Sequence, residues 1–310
     1  MIISASHRTD IPAFYGSWFR KRLDAGYCKM VNPYGGQVYR VGLGRDEVDG
    51  FVFWTRNLGP FLDTLAVADE RDYPFVVQYT ITGYPRALEF SVVDDERALS
   101  HMQLLAAQYG PRAAVWRYDP ILFTSLTSLE FHRRTFARLA RALEGVTDEV
   151  VISFAHIYRK SRRNLDRAAD VPGFVWDDPD GGVKRTLAAE LAQVAQAHGM
   201  QLTLCSQRTF LAPGVTESRC VDAERLSDVA GEPIVARLKG NRPDCLCYQS
   251  RDIGAYDTCP HGCVYCYAVQ NRDAARRRYA AHDPEGEFLF SPQPAINSAV
   301  HSALQERSSE

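Results

Sequence analysis

Phe75-Val76-Val77-Gln78-Tyr79-Thr80 and Ala113-Ala114-Val115-Trp116-Arg117-Tyr118 are two apolar runs separated by one helical pattern, and this unit decides the fold. Between them Leu99, Met102, Leu105, Ala106 and Tyr109 recur at the spacing of one helix face, and Gly110-Pro111 stops the helix. A parallel strand is covered on both faces, so it reads as a continuous β-branched or aromatic run rather than an alternating one. Working outward, the unit repeats. Further strand-like runs fall at 2–6, 50–54, 150–154 and 201–205. Helical stripes at Phe136, Leu139, Ala140 and Leu143, and at Leu187, Leu191, Val194 and Ala195, end at Gly145 and Gly199. Strand, helix and glycine stop in alternation predict an α/β fold, a partial or full (β/α) TIM-like barrel. Residues 1–210 form its body, 211–290 a cysteine-rich segment completing the same barrel, and 291–310 a polar tail. Residues 32–44 read as a loop or small hairpin, and 166–182, rich in Pro, Gly and Asp, as a lid-like excursion.

The 310 residues carry 36 basic and 38 acidic side chains, a net charge of −2, so no global field draws the chain to nucleic acid or acidic lipid. Hydrophobic content of 45% excludes a disordered or collagen-like chain. No stretch is long and apolar enough to span a bilayer, and His7, Arg8 and Asp10 follow the first apolar run too closely for a secretory signal. A soluble, cytoplasmic protein without membrane contact is expected. Arg159-Lys160-Ser161-Arg162-Arg163 reads as a solvated face.

In parallel βα folds, function gathers where strands end. Here the exits are Ser6-His7-Arg8-Thr9-Asp10, Trp54-Thr55-Arg56-Asn57, Gln78-Tyr79-Thr80, Trp116-Arg117-Tyr118-Asp119, Ser153-Phe154-Ala155-His156 and Cys205-Ser206-Gln207. Helix-cap and turn chemistry accounts for Asp10, Asn57 and Asp94. It accounts less well for Arg117 beside Asp119, or for Gln78 and Thr80 on the same side of a strand.

Seven of the eight cysteines lie between residues 205 and 266; Cys28 stands apart as a small core residue. Cys259-Pro260-His261-Gly262-Cys263-Val264-Tyr265-Cys266 is a C-x3-C-x2-C motif, with Gly262 allowing a tight turn between ligands. Three thiolates so spaced suit three corners of a cubane whose fourth iron stays free. Zinc would require a fourth ligand, for which His261 is the nearest donor, and inert or redox thiols are the remaining alternative.

At these residues the chain resembles the radical S-adenosylmethionine superfamily, whose pattern is C-x3-C-x-aromatic-C with Tyr265 at the aromatic position. The stretch 262–267 is similar to that of spore photoproduct lyase-type members. The Ser-x-Arg-Thr-Asp start, Trp54-Thr55-Arg56-Asn57, Arg117-Tyr118-Asp119-Pro120 and terminal cysteines together resemble an uncharacterised bacterial domain-of-unknown-function family. The superfamily resemblance implies that Cys259, Cys263 and Cys266 bind a [4Fe–4S] cluster, that its open iron chelates S-adenosylmethionine, and that Tyr265 packs beside the adenine. It implies reductive cleavage to a 5′-deoxyadenosyl radical that abstracts hydrogen from substrate, with an electron donor such as a flavodoxin or ferredoxin. The superfamily carries its cysteines near the N-terminus, so their position here implies a circular permutation, with a strand at 252–256 beside the strand at 2–6 and a helix over 268–281.

Under that reading Arg117 holds an anionic group with Asp119 orienting it, although an Arg–Asp pair tying adjacent strands fits equally well. Thr55, Gln78 and Thr80 hydrogen-bond cofactor or substrate, while Tyr118, Tyr158 and Cys205 are hydrogen-atom or proton donors. Cys205, Cys220, Cys245 and Cys247 form a second centre, an auxiliary iron–sulfur cluster or zinc, with iron–sulfur preferred. The rival function is a metal-stabilised nucleic-acid-binding or repair-related protein using its arginines, 31 against 5 lysines. No uninterrupted basic patch with exposed aromatics supports nucleic acid as a partner.

Overall fold

The computed structural model describes residues 1–32, 35–170 and 173–291. Eight strands form one parallel sheet: β1 (Ile2–Ala5), β2 (Gly50–Thr55), β3 (Phe75–Thr80), β4 (Ala114–Ile121), β5 (Glu149–Phe154), β6 (Gln201–Leu204), β7 (Val215–Glu217) and β8 (Ser250–Asp252). Their spatial order is β8-β1-β2-β3-β4-β5-β6-β7, so only β8 departs from chain order, pairing with β1 through Ile2 opposite Ser250 and Ser4 opposite Asp252. Among the described residues the sheet is open, with β7 and β8 at its edges and no closed ladder of a full barrel.

Six expected strands appear within about a residue of their sequence limits, with one exception. β4 passes through Pro120 to Ile121, its register against β5 shifting between Tyr118 and Ile121, rather than ending at the proline. Between the strands run α1 (Ile11–Phe14), α2 (Gly16–Ala25), α3 (Leu62–Glu70), α4 (Asp95–Tyr109), α5 (Leu129–Ala142), α6 (Arg159–Asp170), α7 (Gly181–Ala197), α8 (Ala223–Ala230) and α9 (Arg272–Ala280). Side-chain caps start several of them. Asp10 accepts from the Ala13 amide, Asp94 from Arg97, and Asp180 from Gly182 and Val183, satisfying amides that lack intrahelical partners.

Alternation along each strand sorts its residues onto two faces. One bears Ile3, Phe51, Phe53, Val77, Tyr79, Trp116, Tyr118, Ile152 and Leu204, and packs on Trp18, Phe19, Leu65, Met102, Phe136, Leu139 and Leu191 of the helices. The other bears Ile2, Val52, Val76, Val115 and Val151, packed against Cys205, Cys220, Val221, Leu226 and Cys247. The chain beyond β7 therefore covers the second face. Buried Arg225 fastens α8 there, its Nη2 lying 2.8 Å from Asp148 and 2.9 Å from Glu149. Residues 27–31 and 38–42 form an antiparallel hairpin. In the expected excursion, α6 continues to Asp170 and Trp176–Asp177 pairs with Phe123–Thr124; residues 171–172 and the tail from 292 to 310 lie outside the described residues. Among the described residues no helix is long and apolar enough to cross a membrane.

Candidate metal and cofactor site

The chain leaves β8 through Asp252, which binds the exits of β8 and β1 together. Its carboxylate accepts from Ser4 Oγ (2.9 Å), Ser6 Oγ (2.8 Å) and the amides of His7 (3.0 Å) and Gly254 (2.9 Å). His7 Nδ1 lies 2.7 Å away. Burial works to raise its pKa, but His7, Arg8 and the Gly254 amide outweigh burial and hold it at about 2.

Cys259, Cys263 and Cys266 follow on a partly exposed loop anchored on three sides. The Tyr15 hydroxyl donates to the Thr258 carbonyl at 2.6 Å, and the Val264 amide to that of Leu88 at 3.1 Å. His261 Nε2 lies 2.8 Å from Asp10 Oδ2, and Nδ1 3.3 Å from the Ser91 carbonyl. Both imidazole nitrogens are thus engaged, and His261 positions the loop instead of offering a fourth ligand. Gly262 sits at φ +77, where an L side chain is strained, and a Cβ there would come within 2.7 Å of Arg272 Nε and 3.1 Å of Phe90 Cβ. Burial pushes the Cys263 thiol up to about 12 against the pull of Arg56. Burial raises Cys259 and Cys266 as well; for Cys259, Asp10 and the two neighbouring thiols add to it. A bound metal reverses that bias, because coordination deprotonates a thiol.

Tyr265 is braced by a buried polar network. Its hydroxyl donates to Glu89, which also accepts from Thr82 at 2.7 Å and pairs with Arg56 at 2.5 Å. The ring meets Tyr84 edge-on at 6.0 Å. Arg56, Thr80, Thr82, Tyr84 and Glu89 line a cavity of about 200 Å³, so Thr80 does face a cavity at the site. Asp10, Arg56, Glu89 and Asp252 were not singled out in the sequence as site residues. The Ser-x-Arg-Thr-Asp and Trp-Thr-Arg-Asn motifs held the signal for Asp10 and Arg56, but no local pattern marks Glu89 or Asp252.

Other expected site residues are placed differently. Tyr118 lies on the helix side of β4, fully buried, its hydroxyl 2.9 Å from His132 Nδ1, because alternation puts it opposite Arg117. Its hydroxyl is thus engaged within the helix-side core, on the face opposite Arg117. Thr55 also lies on the helix side, and its Oγ1 accepts from the Asn57 amide at 2.9 Å, closing a turn. Tyr158 is exposed. Arg117 does face the second side, buried, with Nε 3.1 Å from Asp119 Oδ2 and Nη1 3.0 Å from Gln78 Oε1 and 3.2 Å from Cys220 Sγ. Gln78 Nε2 donates to the Cys220 carbonyl at 3.0 Å. Arg117, Asp119 and Gln78 therefore grip the cysteine-rich segment where it crosses the sheet.

That grip gathers the second group of cysteines. Cys220 Sγ lies 3.4 Å from Cys205 Sγ, and the Val221 amide donates to Cys247 Sγ at 3.4 Å. Cys205 and Cys247 pull the Cys220 thiol well down by hydrogen bonding, burial opposes them, and Arg117 adds to the pull; a hydrogen bond with Cys247 lowers Cys245 as well, to about 5. Cys245 is half-exposed beside them and Cys28 is fully buried in the core. Among the described residues no three His, Cys, Asp or Glu side chains already surround a common point as ligands of a single ion.

No curated protein matches the chain. A family model described as a domain of unknown function, DUF1848, matches residues 2–268, from the first strand to just past Cys266, and the chain belongs to that family.

Proposed function

We propose that this protein is a radical S-adenosylmethionine enzyme with Cys259, Cys263 and Cys266 as its cluster ligands. The observation that carries the reading is the donor set: three thiols on one loop at the C-terminal exit of a parallel strand, with the neighbouring imidazole of His261 held by Asp10 and Ser91. A cubane takes each thiolate on a different iron, so its ligands need not converge on one point, and three of them leave one iron free. Arg8 Nε and Thr9 Oγ1, at the exit of β1 beside β8, are buried without a hydrogen-bond partner among the described residues, which supports a further polar group there.

When bound, the cluster supplies the electron for reductive cleavage of S-adenosylmethionine, which begins hydrogen abstraction from substrate. The chain's residues hold that chemistry in place. Tyr265 offers an aromatic face fixed by Glu89 and Arg56, and Gly262 lets the loop turn. In the same reading the open sheet is a partial (β/α) barrel, circularly permuted so that the strand leading into the cysteines is the last and partners the first. Permutation is physically cheap where chain ends are neighbours. The reading also requires a reducing cytoplasm and a one-electron donor of the flavodoxin or ferredoxin kind. The exposed arginines Arg159, Arg162, Arg163 and Arg167 of α6 suit an acidic carrier. That helix adjoins the loop, Asn164 Nδ2 donating to the Val269 carbonyl at 3.4 Å.

The test is anaerobic reconstitution with iron and sulfide, then dithionite and S-adenosylmethionine. Methionine and 5′-deoxyadenosine are expected from the wild type and from none of Cys259→Ala, Cys263→Ala and Cys266→Ala, each with an unchanged circular dichroism spectrum. Equal 5′-deoxyadenosine from all three variants would sink the assignment. A colourless protein that cleaves nothing would favour the metal-stabilised, non-radical alternative.

A further inference from the structure

We infer that Cys205, Cys220, Cys245 and Cys247 bind one tetrahedral zinc ion, a centre separate from the Cys259–Cys266 loop. Three observations converge on it.

The first is spacing. Zn–S bonds of about 2.3 Å put tetrahedral sulfurs about 3.8 Å apart, close to the 3.4 Å between Cys205 and Cys220. The thiolates of a cubane sit on separate irons and stand much further apart, so the spacing turns the choice from iron–sulfur to zinc. The four side chains do not yet surround one point among the described residues, and completing the ligand set takes rotation of these side chains, with Cys245 the half-exposed one.

The second is what surrounds the sulfurs. Arg117 Nη1 donates to Cys220 Sγ at 3.2 Å, Arg242 Nη2 to Cys205 Sγ at 3.3 Å, and the Val221 amide to Cys247 Sγ. Sulfur accepts poorly as a thiol and well as a thiolate, so three donors aimed at three of the four sulfurs match metal-bound thiolates. The two guanidinium groups offset the double negative charge of a zinc tetrathiolate.

The third is the chain that carries two of the ligands. Between α8 and β8, residues 231–249 hold no helix or strand. Val235 and Leu238 are exposed, and only Ile234, Ala236, Cys245, Cys247 and Tyr248 of the segment pack against the second-face cluster. A connection of this length without regular structure needs another restraint. Leu238 bridges Tyr248, and the turn between them is pinched by Lys239 N to Cys247 O (2.9 Å) and Cys245 N to Arg242 O (3.2 Å). A Cβ on Gly240 would fall 2.2 Å from the Cys245 carbonyl oxygen. That tight turn presents Cys245 and Cys247 to Cys205 and Cys220 at the exits of β6 and β7. The ion ties the last turn before β8 to the far side of the open sheet.

The experiment uses the full chain with Cys259, Cys263 and Cys266 all changed to Ala, so its outcome does not depend on S-adenosylmethionine chemistry. Metal analysis of this protein is expected to find about one zinc per chain. Exchange with cobalt(II) is expected to give the near-ultraviolet thiolate-to-cobalt band and the intense visible bands of a tetrahedral tetrathiolate. Adding Cys220→Ser or Cys247→Ser should abolish the zinc. Because those sites are buried, Cys245→Ser serves as the variant that spares the core. It should keep the circular dichroism spectrum and convert the cobalt spectrum to that of a three-sulfur site. Protein without zinc whose four thiols all react freely, iron in place of zinc, or a cobalt spectrum unchanged by Cys245→Ser would each overturn the assignment.

Discussion

Two residues of the cysteine loop are constrained enough to be tested alone. Gly262→Ala forces a side chain into positive φ and against Arg272 and Phe90. It should cost about 1–3 kcal/mol and lower the iron taken up in reconstitution. The denaturation midpoint and iron per chain check both effects; if neither moves, the loop does not need glycine. Tyr265→Ala should retain iron and weaken S-adenosylmethionine binding by about 1–3 kcal/mol, the worth of one aromatic face. Tyr265→Phe keeps the ring and loses the bond to Glu89, so it should lower stability while leaving affinity near that of the wild type. Anaerobic titration of the two variants separates ring from hydroxyl. If alanine and phenylalanine weaken binding equally, the stacking role is wrong.

At the scale of elements, β4 and the segment after β7 are held together by a single buried cation. Arg117 serves Asp119, Gln78 and Cys220 at once, and lies over the Trp54 ring at 5.0 Å. Removing one partner of a buried ion pair strands the other, so Arg117→Met should destabilise the protein by about 3–5 kcal/mol. Arg117→Lys should recover only part of that, because an ammonium lacks the planar fork. Urea denaturation of the three proteins measures it, and a midpoint for Arg117→Met equal to the wild type would show that the grip is not structural. The strand itself was legible in Ala113–Tyr118, and alternation along it set Arg117 and Tyr118 on opposite faces. Which of those faces would carry the cysteines was not legible, because that depends on where a segment a hundred residues later crosses the sheet.

At the scale of the molecule, Asp252 joins the first strand to the last. Its native pKa of about 2 lies below the ordinary carboxylate value of 3.8. A depressed native pKa stabilises the fold above the unfolded pKa, and that stability is lost as pH falls through the native one. The shift is worth about 2 kcal/mol, fully present above about pH 4 and lost toward pH 2. Asp252→Asn should therefore be less stable than the wild type at neutral pH, with the gap narrowing by that amount between pH 5 and pH 2. Parallel denaturation curves across that range check it, and a gap independent of pH would mean that Asp252 does not hold the ends through its charge.

The sequence by itself determined the six longer strands, the helices α4, α5 and α7 and the grouping of cysteines near the C-terminus. Those signals are local: buried parallel strands are unbroken apolar runs, helix ends carry caps and glycines, and ligand spacing is counted along the chain. The tertiary structure alone decided the rest. β7 and β8 are three residues each: Val215–Glu217 is too short and too polar to stand out, and the strand expected at 252–256 beside the first falls instead at Ser250–Asp252; both are strands because a neighbouring edge accepts them. His261 became a loop anchor because Asp10, some two hundred and fifty residues earlier, meets its ring. Thr55 and Tyr118 lie toward the helices, away from Arg117 and Gln78, because of the pleat. Cys205 and Cys220 met Cys247 because the chain after β7 folds back over the sheet. Contacts between residues so far apart in the chain are decided by packing, and no local pattern encodes them.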